Sequence, residues 1–464
     1  MSSITPGSVP LTMEAPHAGP LAATQKAPLS AWYALAVLVV ATVLGAVDKV
    51  VLTLLTEPMR HSLTLSDTQL GLLQGAGLVL FTGIATLPLG WLSDRYDRRV
   101  VLAACVVLWS AATGLRGTAE GYGVLFIASI GLGVGEAGLT PITNSMIPDL
   151  FPRAQRVLAN AVFALSIIFG GALGALAGGS VVNLTDHIRH LLPVSMQAYE
   201  AWRLTFFVMA ALGAPVALLV LSIRRTKGRG KAGTPAAEGF DAVTPDNAIT
   251  FREHLRAHWR TFACLVTGFG LGSVGLSSIG SWLPIVAARE FGATPAEVGR
   301  GIGLAFLTGT LVGGAVGVGV MRFMQRRMGP AAALRIIMLG NLAAALLSVL
   351  MLFMRSSTDV FMLLALLVVP LISGAVLLPN VLQDAAPAHL RSRTIALLTM
   401  ASLPFGVLGP LTVGVLSDSL KSVPNGLATA VVATTLIGGV LGALMLRLSE
   451  GAFVRLMRAA QTSS

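Results

Sequence analysis

Twelve runs of mostly apolar residues dominate this chain of 464 residues, each long enough to cross a ~30 Å hydrocarbon core as a helix of ~20 residues. They fall at 31–56, 70–92, 99–118, 122–147, 158–182, 203–223, 262–288, 300–321, 332–354, 359–383, 392–416 and 425–447. Lipid offers no partner to backbone N–H and C=O groups, so runs of this length must satisfy their own backbone as helices. Only 11% of residues are charged, against about 25% in soluble proteins. An all-α membrane protein with twelve transmembrane helices is expected. Nucleic-acid binding is not, because the net charge of +11 is mostly a topology signal.

Basic residues favour the cytoplasmic side of a membrane. With both termini inside, 23 of the 32 Lys and Arg lie in cytoplasmic segments. Eight, Arg116 among them, fall outside or at outer helix ends, and Lys49 is the remaining one. Residues 1–30, rich in Pro, Ala, Ser and Thr, lack a basic start followed by an apolar core; they read as a disordered cytoplasmic tail rather than a cleaved signal. Residues 448–464 read as a second cytoplasmic tail. The expected location is the plasma (inner) membrane, as a multi-pass protein. Cys105 and Cys264 fall in spans of different halves, which argues against a disulfide.

Between spans six and seven stands RRTKGRGKAGTPAAEGFDAVTPDN (224–247), a basic Gly/Pro-rich stretch that cannot pack a core. A linker at 224–261 thus separates an N-terminal six-helix bundle (31–223) from a C-terminal one (262–447). Within it Phe251, Leu255, Trp259 and Phe262 recur opposite Arg252, Arg256 and Arg260. That pattern fits a basic helix on the membrane surface and, equally, the plain start of span seven.

The halves repeat at an offset of 228. SDTQLGLLQG (66–75) aligns with TPAEVGRGIG (294–303), so Ser66 and Gln69 answer Thr294 and Glu297 as capping boxes. Gly71 and Gly75 fall on Gly299 and Gly303, and Arg98-Arg99 on Arg326-Arg327. Such duplication suits alternating access, with two halves rocking around a central site. Gly170, Gly174 and Gly178, and Gly309, Gly313 and Gly317, are expected at the rocking contacts, with packing inside one half as the alternative.

GWLSDRYDRR (90–99) resembles the signature loop of the major facilitator superfamily, with Gly90, Asp94, Arg95, Arg98 and Arg99 in place and Asp97 where glycine is more usual. The resemblance implies that the loop's acid pairs with helix ends and arginines of the other half, closing a cytoplasmic gate. GVMRFMQRR (319–327) has Arg322 at the place of Asp94 and reads as a degenerate copy. Three further stretches, AVDKVVLTLLTEPMR (46–60), LSDTQLGLLQG (65–75) and GVGEAGLTPITNSMIPDLFPRAQR (133–156), resemble the spinster branch of that superfamily. This implies a major facilitator fold of two pseudo-symmetric six-helix bundles and proton-coupled transport, with Asp48 and Glu136 as coupling acids. Eukaryotic members of the branch move lysophospholipids or sphingosine phosphate.

Two departures bear on mechanism. Lys49 replaces the branch's arginine, and Ser129 takes the place of the arginine usual seven residues before the helix 4 glutamate. The membrane interior is then expected to hold two acids and one base. An unpaired carboxylate there costs roughly 3 kcal/mol even on lenient scales, so one shared proton would balance the site.

Adjacent residues on a helix point about 100° apart. Lys49 shares a small, hydroxylated stripe with Thr42, Gly45, Thr53 and Thr56, and is expected to face the cavity; Asp48, among Ala41, Leu44, Val51, Leu52 and Leu55, should face a packed helix. Glu136 lies on a stripe with Ser129, Gly133, Thr140 and Thr143. Lys49 and Glu136 should therefore meet or compete for the substrate's charged group; a structural ion pair is the alternative. The second half offers only neutral groups: Ser273, Ser277 and Ser281, then Ser373 and Asn380. Substrate contacts are expected from Lys49, Glu136, Thr53, Ser129, Thr140, Ser277, Ser281 and Asn380.

A secondary transporter of an amphipathic, lipid-like molecule is the reading these features support. A small organic acid is the alternative substrate, and a transport-inactive sensor the distant one. No catalytic cluster or nucleotide-binding loop is present in the sequence, so neither enzymatic activity nor ATP coupling is expected. No metal or cofactor is expected either. The expected partners are a small-molecule substrate, protons and the bilayer, around a monomer.

Overall fold

The computed structural model describes residues 27–191, 197–224, 251–385 and 390–462, and every regular element among them is a helix. The expected N-terminal tail lies outside these residues except for its last four positions. So does most of the 224–261 linker.

The spanning helices are α1 (Leu29–Leu54), α2 (Asp67–Arg95), α3 (Arg98–Gly117), α4 (Tyr122–Leu150), α5 (Arg153–Ile188), α6 (Ala201–Ser222), α7 (Trp259–Phe291), α8 (Pro295–Met328), α9 (Ala332–Phe353), α10 (Ser357–Leu382), α11 (Arg391–Ser419) and α12 (Gly426–Thr462). Among the described residues eleven are straight enough to count singly; in α5 the pair Leu158–Ile167 and Phe169–Thr185 is bent by 46° and makes the twelfth. Twelve crossings return the chain to the face it started from. That face, with the α2–α3 loop, is called the terminal face below.

The last helix runs past 447, where the sequence reading ends the last span and begins a cytoplasmic tail. Helix α12 continues to Thr462, with Phe453 and Leu456 buried. Arg335 Nε donates to Glu450 Oε1 at 2.7 Å, and Arg447 pairs with the other carboxylate oxygen. The Arg335 guanidinium of α9 and an apolar stripe therefore hold the extension against the bundle.

The internal repeat is real structure. Ser66 Oγ accepts from the Gln69 amide at 3.2 Å while Gln69 Oε1 accepts from the Ser66 amide at 2.9 Å. Thr294 and Glu297 make the same reciprocal bonds at 3.3 and 2.9 Å. Each box starts a helix that crosses to the other half. A β-carbon at Gly71 would lie 2.5 Å from the Pro410 carbonyl oxygen of α11, and one at Gly299 would lie 2.6 Å from the Ala175 carbonyl oxygen of α5. Pairs α2–α11 and α5–α8 are thus equivalent seams, closest near the face opposite the termini.

The glycine runs do not form these seams. Gly174 abuts the Ala46 backbone of α1, Gly178 lies against Val51 of α1, and Gly309, Gly313 and Gly317 lie against Val368, Val369 and Ser373 of α10. Spaced four residues apart, they draw neighbours together inside each half. Contacts between the halves fall instead to the glycine pairs just after the capping boxes, Gly71 and Gly75 on α11, and Gly299 and Gly303 on α5.

Two irregularities shape the N-terminal half. Residues Leu73–Leu80 of α2 are wound as a π-helix, and α4 breaks at Gly138, two residues after Glu136. Both lie beside the charged residues of α1, in keeping with the tendency of π segments to occur at functional sites.

Candidate functional site

Helix α1 puts its two charges in different surroundings. Asp48 is 2% exposed and accepts a 2.5 Å hydrogen bond from Thr113 Oγ1 of α3. Lys49 turns the other way, its Nζ 2.6 Å from Glu136 Oε2 of α4. The lysine side chain is 46% exposed and the glutamate side chain 4%. One end of this ion pair is therefore open to a cavity and the other is sealed.

A fourth charge overturns the two-acid, one-base expectation. Arg116, placed by sequence at an outer helix end, is wholly buried, and its Nη2 donates to Ser129 Oγ at 3.2 Å. It lies close enough to Asp48 and Glu136 to interact with both charges. Its Nε and Nη1, like Asp48 Oδ1, have no hydrogen-bond partner among the described residues. The cause is packing at the end of α3: Gly117 lets the helix press on Phe207, and the Phe206 ring centroid is 5.9 Å from the Arg116 guanidinium carbon. The helix end is thereby enclosed by α6. The site holds two acids and two bases, formally neutral. The missed signal was Ser129 itself, because a small residue there leaves room for a charge from another helix.

The cavity beside Lys49 has a volume of about 580 Å³. Its walls are α2, through Leu78, Val79, Thr82 and Leu87, and α11, through Met400 and Leu403. The hydroxyls of Thr82 and Thr86 donate to the Leu78 and Thr82 carbonyls of their own helix at 2.7 and 2.8 Å, so they add little free polarity. Among the described residues Lys49 is the one charged residue of this lining.

The other expected substrate contacts are scattered. Ser129 is buried beneath Arg116, and Thr53 donates only to the Lys49 carbonyl, at 3.4 Å. Ser277 donates to the Val274 carbonyl at 3.1 Å and packs against Gly409. Ser281 is half-buried on α7, while Thr140 and Asn380 are exposed on α4 and α10. None of the six lines the 580 Å³ cavity.

The loop after α2 is braced within its own half. Arg98 donates to Asp149 at 2.5 Å and to the Ser145 carbonyl at 3.0 Å, while Arg99 holds Asp97 at 2.8 Å and the Ile223 carbonyl at 2.6 Å. Arg95 covers the Trp91 ring, and a β-carbon at Gly90 would meet nothing. Asp94 is exposed and makes no hydrogen bond or ion pair among the described residues. The terminal-face contact implied for it is thus unmade.

Closure lies at the opposite face, in a cluster the sequence reading missed. Arg289 of α7 makes forked hydrogen bonds to Glu57, in the short helix Thr56–Leu63, at 2.9–3.1 Å and to Asp67 of α2 at 2.8 and 2.9 Å. Ser417 of α11 donates to Asp67 at 2.7 Å, and Arg60 lies 3.2 Å from it. Asp418 of α11 accepts from the Asp67 and Thr68 amides at 3.1 and 2.8 Å, so a carboxylate of one half caps a helix of the other. The signal available was two acids, Glu57 and Asp67, at opposite ends of one turn-rich stretch. Their partner on α7 lies over 200 residues away.

Comparison with known proteins agrees with this geometry. A family model described as the Major Facilitator Superfamily matches residues 37–410. An MFS-type efflux pump of Mycolicibacterium smegmatis is 28% identical over 432 residues, covering 90% of this chain and 93% of that protein. A sphingosine-1-phosphate transporter of Xenopus tropicalis is 26% identical over 259 residues, 54% of this chain and 45% of the relative. The chain therefore spans about half the length of that spinster-type relative. Among solved structures, a bacterial homolog of the human lysosomal transporter Spinster, inward-facing and unoccupied, superposes with a TM-score of 0.70 at 21% identity, covering 93% of this chain and 98% of that one.

Proposed function

Because the chain belongs to the major facilitator superfamily and is a multi-pass membrane transporter, not an enzyme, we propose that it moves an amphipathic anion of lysophospholipid or sphingolipid type by proton-coupled alternating access. The observation that carries this reading is Lys49, a single cation at the edge of an apolar cavity, ion-paired to a buried carboxylate. An anionic head group would compete with Glu136 for the lysine, and an acyl chain would lie along Leu78, Val79 and Leu403. A small hydrophilic acid would find few free hydrogen-bonding groups there.

Coupling follows from the same pair. When the head group takes Lys49, Glu136 loses its ion-pair partner in the membrane interior, where an unpaired carboxylate costs roughly 3 kcal/mol and Arg116, beyond ion-pair distance, offsets part of that. Taking up a proton removes that cost. Substrate and proton therefore arrive together, and Asp48 with Arg116 forms the fixed neutral background of the exchange. Likeness to a sphingosine-1-phosphate transporter supports a lipid-like anion.

The test is transport in proteoliposomes loaded with a fluorescent lysophospholipid, with and without an imposed pH gradient. The gradient should accelerate flux through the wild type and not through Glu136→Gln. Equal acceleration of both, or faster flux of a small carboxylate than of the lysolipid, would reject this reading.

A further inference from the structure

A second cavity, of about 610 Å³, lies at the terminal face where α7 begins and α12 ends. Arg256, Arg260, Arg455 and Trp259 are among the residues lining it. None of the three arginines has an ion pair or hydrogen bond to a described residue; the contact found is Arg260 beside the Trp259 ring, 5.5 Å from its centroid. Four other arginines at this face are neutralised, Arg98 by Asp149, Arg99 by Asp97, and Arg335 and Arg447 by Glu450, while Arg95 and Arg327 lie over the Trp91 and Phe323 rings. Glu450, the acid of α12 closest in sequence to Arg455, is thus already spent on two other cations.

Basic residues at helix ends orient a membrane protein wherever they stand, and orientation alone does not require them to converge. Here they do converge. The first two sit one turn apart on either side of a break at His258, where the short helix Phe251–Ala257 gives way to α7. Arg455 comes from a helix about 200 residues later, so tertiary packing brings the third cation in. Trp259 is 58% exposed, an amphipathic ring of the type that sits at the level of lipid head groups. Leu448, two turns nearer the membrane on α12, is 63% exposed and offers an apolar track for a chain leading from the cavity into lipid.

We propose that this cavity is a binding site for a phosphate-bearing anion, whose oxygens are taken by Arg256, Arg260 and Arg455 with Trp259 as the interfacial anchor. Guanidinium forks match phosphate oxygens bidentately. Basic pockets beside membrane helices bind anionic head groups for the same reason. The site is separate from the Lys49 cavity and does not depend on what that cavity transports. The anion is a lipid head group or a free phosphate, and these differ in whether an acyl chain adds affinity along Leu448.

The experiment uses the full-length protein in a neutral detergent and measures binding of phosphatidylglycerol, phosphatidylcholine and inorganic phosphate by native mass spectrometry and thermal shift. Phosphatidylglycerol should bind the wild type at least tenfold more tightly than phosphatidylcholine. That preference should vanish in Arg256→Gln/Arg260→Gln/Arg455→Gln and survive in Arg252→Gln, which removes a charge from the same segment outside the cavity. If the triple variant does not fold, Arg455→Gln alone should weaken the preference several-fold. Inorganic phosphate binding as tightly as phosphatidylglycerol assigns the site to the free anion. Equal binding of both lipids with no phosphate binding, or a preference untouched by the triple variant, overturns the proposal.

Discussion

Arg116 Nη2 donates to Ser129 Oγ across the α3–α4 interface at 3.2 Å. The residue that the spinster resemblance leads one to expect on α4 is absent, and a guanidinium from α3 occupies its neighbourhood. Two of its nitrogens have no hydrogen-bond partner among the described residues, yet it lies within electrostatic reach of both buried acids. A cation so placed balances the charge of the two buried acids from a neighbouring helix.

Removing that cation should be costly. Arg116→Gln leaves Asp48 and Glu136 with Lys49 as their one base, and loss of one partner from a buried ionic group costs about 3–5 kcal/mol. A drop in thermal stability and at least a tenfold loss of transport are expected. Arg116→Ser/Ser129→Arg returns the charge from the other helix and should recover much of both. A double variant no better than Arg116→Gln would show that the geometry of α3, and not the charge balance, is what matters.

Lys49 and Glu136 should separate in their effects. Lys49→Gln removes the cation proposed to meet the substrate's head group and should raise the apparent KM for an anionic lysolipid about tenfold or more. Glu136→Gln keeps the lysine free and should bind substrate at least as well while losing its response to a pH gradient. Concentration-dependent uptake at two pH values distinguishes the two; matching changes in KM from both variants would argue for a purely structural pair.

The Arg289 cluster sets which face is closed. Arg289→Ala strands Glu57 and Asp67 with Arg60 as their remaining cation and unties α7 from α2. Breaking charged hydrogen bonds of this kind costs about 2–5 kcal/mol when the partner stays buried. The population should shift towards opening at that face. Spin labels at Thr64 and Val423, on opposite sides of the seam, should move apart in the variant; an unchanged distance distribution would place the latch elsewhere.

Glycines on the seam and glycines inside a half should behave differently. Gly71→Val drives a side chain into the Pro410 carbonyl, and Gly313→Val into the Val369 carbonyl; overpacking of this sort costs about 1–3 kcal/mol. In the first the cost falls on the closed state of one face, so the same spin-label pair should report opening with little loss of thermal stability. In the second it falls on the packing of α8 against α10, so stability should fall with no change in distance.

The sequence by itself determined the span count, the division into halves, the two capping boxes and the opposed settings of Asp48 and Lys49. All of these are local: they follow from apolar run length, from donors and acceptors three residues apart, and from the angle between adjacent helical residues. Only the tertiary structure decided that Arg116 belongs to the buried site, that Arg289 ties Glu57 to Asp67, and that the glycine runs pack within a half. It alone brought Arg455 beside Arg256. A charge near a helix end reads the same in sequence whether the end meets water or a neighbouring helix. What distinguishes the two is the packing of Gly117 on Phe207, a contact between residues 90 positions apart that no periodicity records.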